Sequence, residues 1–394
     1  MRIPKKYKTK TAITVSACIG MVVAAVIVGI VSSAGKPNDL VSAQVLGDAA
    51  CGASRAIRTG MDESTSPQLR KLAEYEKVCG SSFVAKQMLF THMPTTAEEA
   101  QADAVLMAGT LKEFAKYNVP PLVIFEPTNA AGEILPMQRF REGRYDTAIA
   151  MYFESLKAQG VTDKIMGTWV PFPEANTPVW VTTDADDFAA NVTKVVKSQK
   201  HYFPDSRASI LLDSRSHPSN DEQWAHGKYV SLKPYVKDIP KGLIDSFGYQ
   251  GLPWLPPAGE PQSVGKLKVS EFLQPKLARE AAKSLGVRYV WFNTGTFSEA
   301  HTGRSATRVA MGNDTRASLL KEAVRQAKVL EDEGYSVALH IFAEDKSDIK
   351  EGVDWSYWQP GNAAASEGTQ IFKDFVRNAL SANLQVWLYD AERP

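Results

Sequence analysis

Cysteine is scarce: three residues in 394. That excludes a disulfide-dense mini-fold and any four-cysteine zinc site. An excess of one charge is missing too, with 45 Lys and Arg against 44 Asp and Glu. Arg2, Lys5, Lys6, Lys8 and Lys10 are bunched at the start, and without those five, 40 basic residues face 44 acidic ones. No basic domain is left to neutralise phosphates, so nucleic acid is excluded as a partner. The six histidines, at 92, 201, 217, 226, 301 and 340, show no metal-ligand spacing of the His-Glu-x-x-His kind. No metal and no other cofactor is expected. Walker loops, Gly-x-Gly-x-x-Gly turns behind a strand and Gly-x-Ser-x-Gly elbows are all lacking. The sequence signals of nucleotide binding and serine-esterase chemistry are therefore absent.

One long apolar run is present. From 11 to 35 there is no charged residue, and 19 to 31 is nearly all apolar. As a helix it rises about 1.5 Å per residue, enough to cross a hydrocarbon core of about 30 Å. The basic residues before it stay inside, and everything after Lys36 lies outside. Residues 1–35 thus read as a basic stub with a transmembrane anchor or signal, and 36–47 as a linker. Ser32 and Ala34, or Val41 and Ala43, offer the small side chains of a cleavage site. The length of the run favours an uncleaved anchor. The expected location is the cell membrane, single-pass with the C-terminal domain extracytoplasmic, or outside the cell if the signal is cleaved.

Residues 48–394 have ordinary globular composition in a chain with 44% hydrophobic and 23% charged residues. Apolar, strand-like runs fall at 53–57, 88–92, 122–126, 165–172, 209–214, 244–250, 289–295, 337–342 and 385–390. Amphipathic helical stretches lie between them. Several runs lack a polar face, as strands covered on both sides do. The alternation predicts an α/β fold: one (β/α)8 TIM barrel, preceded by the N-terminal transmembrane helix. Nine strand candidates compete for eight places. Either 53–57 is the first strand and 385–390 an appendage, or the count starts at Met88.

Active sites of such barrels lie at the C-terminal ends of the strands. The run 165–172 leads into Glu174 and Asn176, with Trp169 and Trp180 on either side and Pro171, Pro173 and Pro178 stiffening the loop. A rigid carboxyl group beside indoles suits glycoside chemistry. An indole stacks on a sugar's apolar face, and the acid protonates the leaving oxygen.

The residues Gly143-Arg-Tyr-Asp146, then Ile149, Leu156 and Gly160, then Phe172-Pro-Glu-Ala-Asn176 and Trp180 form a longer pattern. It resembles glycoside hydrolase family 26, the β-mannanases and related endoglycanases. Ala73-Glu-Tyr-Glu-Lys-Val-Cys-Gly80, Ile244-Asp-Ser-Phe-Gly-Tyr249 and Asp354-Trp355 extend the likeness over about 48–382. The resemblance implies a (β/α)8 barrel with 53–57 as its first strand. It implies Glu174 as acid/base at the end of the fourth strand, Asn176 as a substrate-binding amide, and Tyr249 as the tyrosine that contacts the nucleophile. Pro173 departs from the family's His and Thr177 from its Gly. More seriously, Asn293-Thr-Gly295 stands where the family has its nucleophilic Glu. An amide is uncharged and cannot form a glycosyl ester.

A second carboxylate would then come from Asp213, Glu126 or Glu344, at or just after the ends of other strands. An inverting pair needs a separation of about 6.5–9.5 Å. Trp254, Trp291 and Trp355 join Trp169 and Trp180 as candidate sugar platforms, with Trp358 a further indole, and Asn293 lines the same mouth. His92 is either a sugar contact or a cap. Cys51 and Cys79 fall at the opposite, N-terminal face, where an oxidising compartment would join them. The sequence thus predicts an extracytoplasmic glycoside hydrolase-like protein acting on a β-linked polysaccharide or oligosaccharide, with Glu174 as general acid/base. The alternative is a carbohydrate-binding pseudoenzyme that has lost its nucleophile.

Overall fold

The structure, a computed structural model, describes residues 51–52, 55–176, 184–213, 232–252, 273–296, 299–301, 308–346, 353–354, 356–357 and 366–390. Its strands, in chain order, are β1 (Val84–His92), β2 (Pro121–Glu126), β3 (Thr168–Pro171), β4 (Arg207–Asp213), β5 (Ser246–Gln250) and β6 (Tyr289–Thr294). Then follow β7 (Glu299–His301), β8 (Arg308–Ala310), β9 (Ser336–Phe342), β10 (Asp345–Lys346), β11 (Val353–Asp354) and β12 (Gln385–Tyr389). Eight of these, β1 to β6 with β9 and β12, form a closed barrel, and every pair in it is parallel. The short strands form a separate antiparallel sheet in the order β10-β11-β7-β8. They come from the chain leaving β6 and β9, the C-terminal ends of two barrel strands.

The barrel follows from two-sided burial. Met88, Leu122, Ile124, Val170, Leu211, Trp291, Ala338 and Trp387 point inward and make one core. Their neighbours along the strands, such as Val123, Trp169, Ile210, Phe247, Phe292 and Leu339, point outward into a second core under the helices. With both faces apolar, the strands read as unbroken hydrophobic runs. The inner core needs Gly248: a Cβ there would stand 2.3 Å from the Trp291 ring. Trp291 donates its indole N–H to the Ser209 hydroxyl at 2.9 Å, so its polar atom is satisfied inside the barrel. Lys86 closes the N-terminal end. Its ammonium lies 4.9 Å from the Trp387 ring and donates to Thr168, and burial lowers its pKa to about 8.

Local residues mark several helix ends. For α1 (Pro67–Cys79), proline opens the first turn and Gly80 stops the helix in the left-handed region. Thr96 caps α2 (Ala97–Lys116) by accepting from the Glu99 N–H. Next come α3 (Met137–Arg141), α4 (Asp146–Ala158), α5 (Asp163–Met166), α6 (Ala185–Tyr202) and α7 (Lys233–Val236). The last three are α8 (Pro275–Leu285), α9 (Asn313–Asp332) and α10 (Glu367–Ser381).

The barrel count corrects the sequence reading. Among the described residues of 53–57, Arg55 to Ile57 lie in no strand, and 53–54 fall outside the described residues. The predicted appendage is instead the eighth barrel strand: β12 pairs with β9 along its whole length and with β1 from Val84↔Val386 to Gln87↔Leu388. The cause is that the chain enters the barrel on a helix. Helix α1 stands between α10 and α2, where a helix following the last strand would be. The Tyr75 ring lies 4.8 Å from Phe372 of α10, and Ser66 N–H donates to Glu113 of α2. Arg58 is pinned below β1 by Glu76 and by the Val84 carbonyl, which takes up the polar groups of this entry segment without strand pairing.

Cys51 and Cys79 are disulfide-bonded, with Cα atoms 4.9 Å apart and a sequence separation of 28. The Cys51 N–H also donates to the Cys79 carbonyl at 3.1 Å. Closing such a loop stabilises a fold by about 3–4 kcal/mol in the chain-entropy picture. Among the described residues, no helix is long and apolar enough to cross a membrane. The apolar run at 11–35 and the linker at 36–47 lie outside the described residues.

Candidate active site at the barrel mouth

The C-terminal ends of the strands carry the polar residues. Glu126 ends β2, Asp213 ends β4, Gln250 ends β5, and Asn293 lies one residue before the end of β6. His340 lies inside the upper part of β9, Glu344 follows that strand by two residues, and Asp390 follows β12. Glu174 stands in the loop after β3, partly exposed.

That loop is held in an unusual shape. Phe172 and Glu174 both lie in the left-handed region, at φ of 52° and 53°, although neither is glycine. Each such residue costs on the order of 1 kcal/mol or more. Hydrogen bonds hold the shape in place. Phe172 N–H donates to the Phe125 carbonyl and Glu174 N–H to the Leu211 carbonyl, at 3.1 and 2.8 Å. The Asn176 amide then takes over the ladder. It donates to the Asp213 carbonyl and accepts from the Asp213 N–H, both at 2.9 Å. The carboxyl-bearing loop is thereby laid against β4, beside Asp213.

From Asp213 a chain of hydrogen bonds runs across four neighbouring barrel strands. His340 Nδ1 lies 2.6 Å from Asn293 Oδ1, Asn293 Nδ2 donates to Gln250 Oε1 at 2.8 Å, and Gln250 Nε2 reaches Asp213 Oδ2 at 3.5 Å. An amide oxygen only accepts, so His340 Nδ1 carries a hydrogen. Every bond therefore donates toward Asp213. Burial pushes the His340 pKa down to about 3, against a backbone contact with Leu388, so the imidazole is neutral. Asp213, Gln250, Asn293 and His340 are all buried.

A second acidic group follows β12, on the side that faces α1. Asp390 is 7% exposed and accepts a 2.8 Å hydrogen bond from the Tyr75 hydroxyl. Burial pushes its pKa up to about 7. Lys71 and the Tyr75 bond work against that shift, and the charges of Glu74 and Glu344 add to it. A carboxyl group half-protonated near neutrality thus sits within electrostatic range of Glu344.

Several predicted site residues are placed differently. Trp169 does not flank Glu174. It alternates with Thr168 and Val170, faces the helices, packs on Phe125, Tyr152 and Phe153, and donates to the Met166 carbonyl. Trp291 fills the barrel core. Tyr249 points outward, its ring 5.7 Å from Phe292, because Gly248 and Gln250 hold the inward places on β5. Asn176 is fully buried and positions backbone. Strand parity decides each of these cases.

The count moves the rest. Glu174 follows the third barrel strand, Asp213 closes the fourth, Asn293 belongs to the sixth and Glu344 follows the seventh. Asn293 therefore does not stand at a seventh-strand nucleophile position, and the deduction of a lost nucleophile falls with the register. Trp180, Trp254, Trp355 and Trp358 lie outside the described residues. His92 bonds Asp103 at 2.8 Å. With Glu99 these two bring ligand-type atoms within 4.8 Å of one another. Glu99 already accepts from Thr95 and Ala130, so the group reads as the cap of α2.

Sequence reasoning passed over Gln250, His340 and Asp390 as site residues. For Gln250 and His340 the available signal was a place at or near a strand end with inward parity, and it needed the right count; Asp390 has the outward parity of Leu388 and meets Tyr75 of α1.

No protein-family model and no curated protein matches the chain significantly. Solved structures do. A family 1 β-glucosidase from Thermotoga maritima superposes with a TM-score of 0.49 at 11% identity, covering 80% of this chain and 86% of that one. The Thermotoga maritima β-glucosidase in complex with castanospermine gives the same figures. An endo-β-1,4-mannanase from Thermotoga petrophila gives 0.41 at 11% identity, covering 70% of this chain and 61% of that one. Each is a similarity of low identity, and the barrel here is read from its own strand pairing.

Proposed function

We propose that this chain is a glycoside hydrolase that acts on a β-linked polysaccharide. The observation that carries the reading is the gathering of Glu174, Asp213 and Glu344 at one mouth of a closed parallel barrel. Hydrolysis of a glycoside needs one carboxyl group to protonate the leaving oxygen. It needs a second to attack the anomeric carbon or to activate water. Glu174, partly exposed on its braced loop, is the proton donor. Asp213, on the neighbouring strand, is the second carboxyl group, and it is oriented by the row of donors that runs from His340 through Asn293 and Gln250. Glu344, with Asp390 beside it, supplies negative potential from the far side of the mouth, where positive charge develops on the sugar.

The family-26 likeness keeps its acid/base motif at Glu174 but not its strand numbering, so the proposal takes the reaction class and not that family's residue scheme. Residues 11–35 are proposed to hold the protein at the cell membrane with the barrel outside. The Cys51–Cys79 bond supports an oxidising compartment.

The test is release of reducing ends by the full chain from β-mannan, mixed-linkage β-glucan and aryl β-glycosides. Glu174→Gln should lower the rate at least about 10²-fold on natural substrates. Asp213→Asn should do so on all of them. Proton NMR of the first-formed anomer gives the stereochemical outcome. A folded protein that cleaves none of these substrates, or whose Glu174→Gln form is as active as the parent, ends the reading.

A further inference from the structure

The mouth also has an aromatic wall. Phe90 of β1, Phe342 of β9 and Tyr389 of β12 each lie two residues beyond an inward-facing residue, Met88, His340 and Trp387, and so face into the barrel. The Phe90 and Tyr389 rings meet edge-on at 4.9 Å, and Phe342 stacks on Tyr389 at 5.1 Å. Phe342 is buried and Tyr389 half-buried, yet Phe90 is 42% exposed. A barrel strand that leaves a phenyl ring to solvent gives up the hydrophobic gain of covering it. The ring is nonetheless fixed, because strand β1 sets its backbone and Tyr389 its edge.

The surroundings are polar at the rim. Glu126 on β2 stands two residues past Ile124, the register partner of Phe90. Glu344 comes two residues after Phe342. The hydrogen-bonded row starts on Phe342's own strand, at His340, and continues across β6 and β5 to Asp213 of β4. An exposed aromatic face with carboxyl groups near it matches one kind of ligand well. A hexopyranose with mostly equatorial substituents has an apolar C–H face and a rim of hydroxyl groups. Its C–H face stacks on an aromatic ring, and its rim meets carboxylates.

We propose that Phe90, Phe342 and Tyr389 form the stacking platform for one pyranose ring of a β-linked glycan, with Phe90 the face in contact. This rests on the glycoside hydrolase reading and adds where the sugar lies. The platform replaces the indole groove expected from the sequence, since Trp169 and Trp291 are core residues.

The test uses the full chain carrying Glu174→Gln to suppress turnover, titrated calorimetrically with β-1,4-mannohexaose and cellohexaose. Adding Phe90→Ala should weaken binding roughly tenfold, the scale of one aromatic stacking contact. Adding Phe90→Trp instead should keep the affinity within about threefold of the background or improve it, because a larger flat face is retained. The exposed position lets both variants fold, and an unchanged melting midpoint checks that. If the background binds a hexasaccharide and Phe90→Ala binds it equally well, the platform is refuted and the glycosidase reading stands. If the folded background binds neither sugar, and the parent cleaves neither, both are refuted.

Discussion

Asn176 and Asp213 exchange two hydrogen bonds, side-chain amide to main chain, each 2.9 Å long. The loop that carries Glu174 is thereby fastened to β4 as if it were a strand. Both residues are fully buried, so neither bond has water as a substitute. Asn176→Ala should cost about 2–4 kcal/mol, two lost bonds that leave a buried N–H and a buried carbonyl unpaired. Asn176→Asp keeps the acceptor for the Asp213 N–H but loses the donor, and it buries a charge. Activity should fall further than stability, because Phe172 and Glu174 would relax from the left-handed region. Urea denaturation with parallel kcat measurement checks this; a variant with parental kcat would show that the fastening does not position Glu174.

The contact between Gly248 and Trp291 allows a sharper test of packing. A Cβ at 248 would lie 2.3 Å from the indole and 2.9 Å from the Ile210 carbonyl. Gly248→Ala should therefore destabilise by about 1–3 kcal/mol or more, the usual cost of overpacking. Trp291→Phe removes the clashing part of the ring and abandons the bond to Ser209. The double variant should cost less than the sum of the two singles. A double-mutant cycle with zero coupling would show that the two side chains do not share this space.

The barrel was legible because its strands are apolar on both faces, and seven of the eight were recognised as barrel strands, from Met88–His92 to Val337–Phe342. What failed was the starting point. The run beginning at residue 53 is apolar enough to pass as a strand, and local pattern cannot show that α1 occupies the place of an eighth helix. The error carried into the site. Asn293 looked like a lost nucleophile only while its strand was counted seventh. Glu174, Asp213 and Glu344 close or follow barrel strands under either count, because strand-end position does not depend on it. Trp169 and Trp291 misled for another reason. A tryptophan inside a strand belongs to a platform or to a core according to parity and height, and composition is blind to both. Phe90 was passed over because a phenylalanine in an apolar run reads as core.

The carboxyl group of Asp390 should make the fold's stability depend on pH in a specific direction. Its pKa is pushed from 3.8 up to about 7, chiefly by burial. Between those values the folded state holds a proton that the unfolded state has released. Stability from this group therefore falls as pH rises through that window and levels off above about pH 7. A shift of this size corresponds to on the order of 4 kcal/mol, at 1.36 kcal/mol per pH unit. Asp390→Asn removes the ionisation and keeps an oxygen to accept from the Tyr75 hydroxyl at 2.8 Å in the parent. The variant should gain on the parent by about 2–3 kcal/mol between pH 5 and pH 8. Other groups titrate alike in both proteins, so their contributions cancel in the difference. Urea denaturation of both proteins at the two pH values measures it. A stability difference that stays constant from pH 5 to pH 8 would mean that Asp390 is already ionised across that range. In that case it adds its own negative charge beside Glu344, and the proposed pull on the developing positive charge of the sugar would be stronger at neutral pH, not weaker.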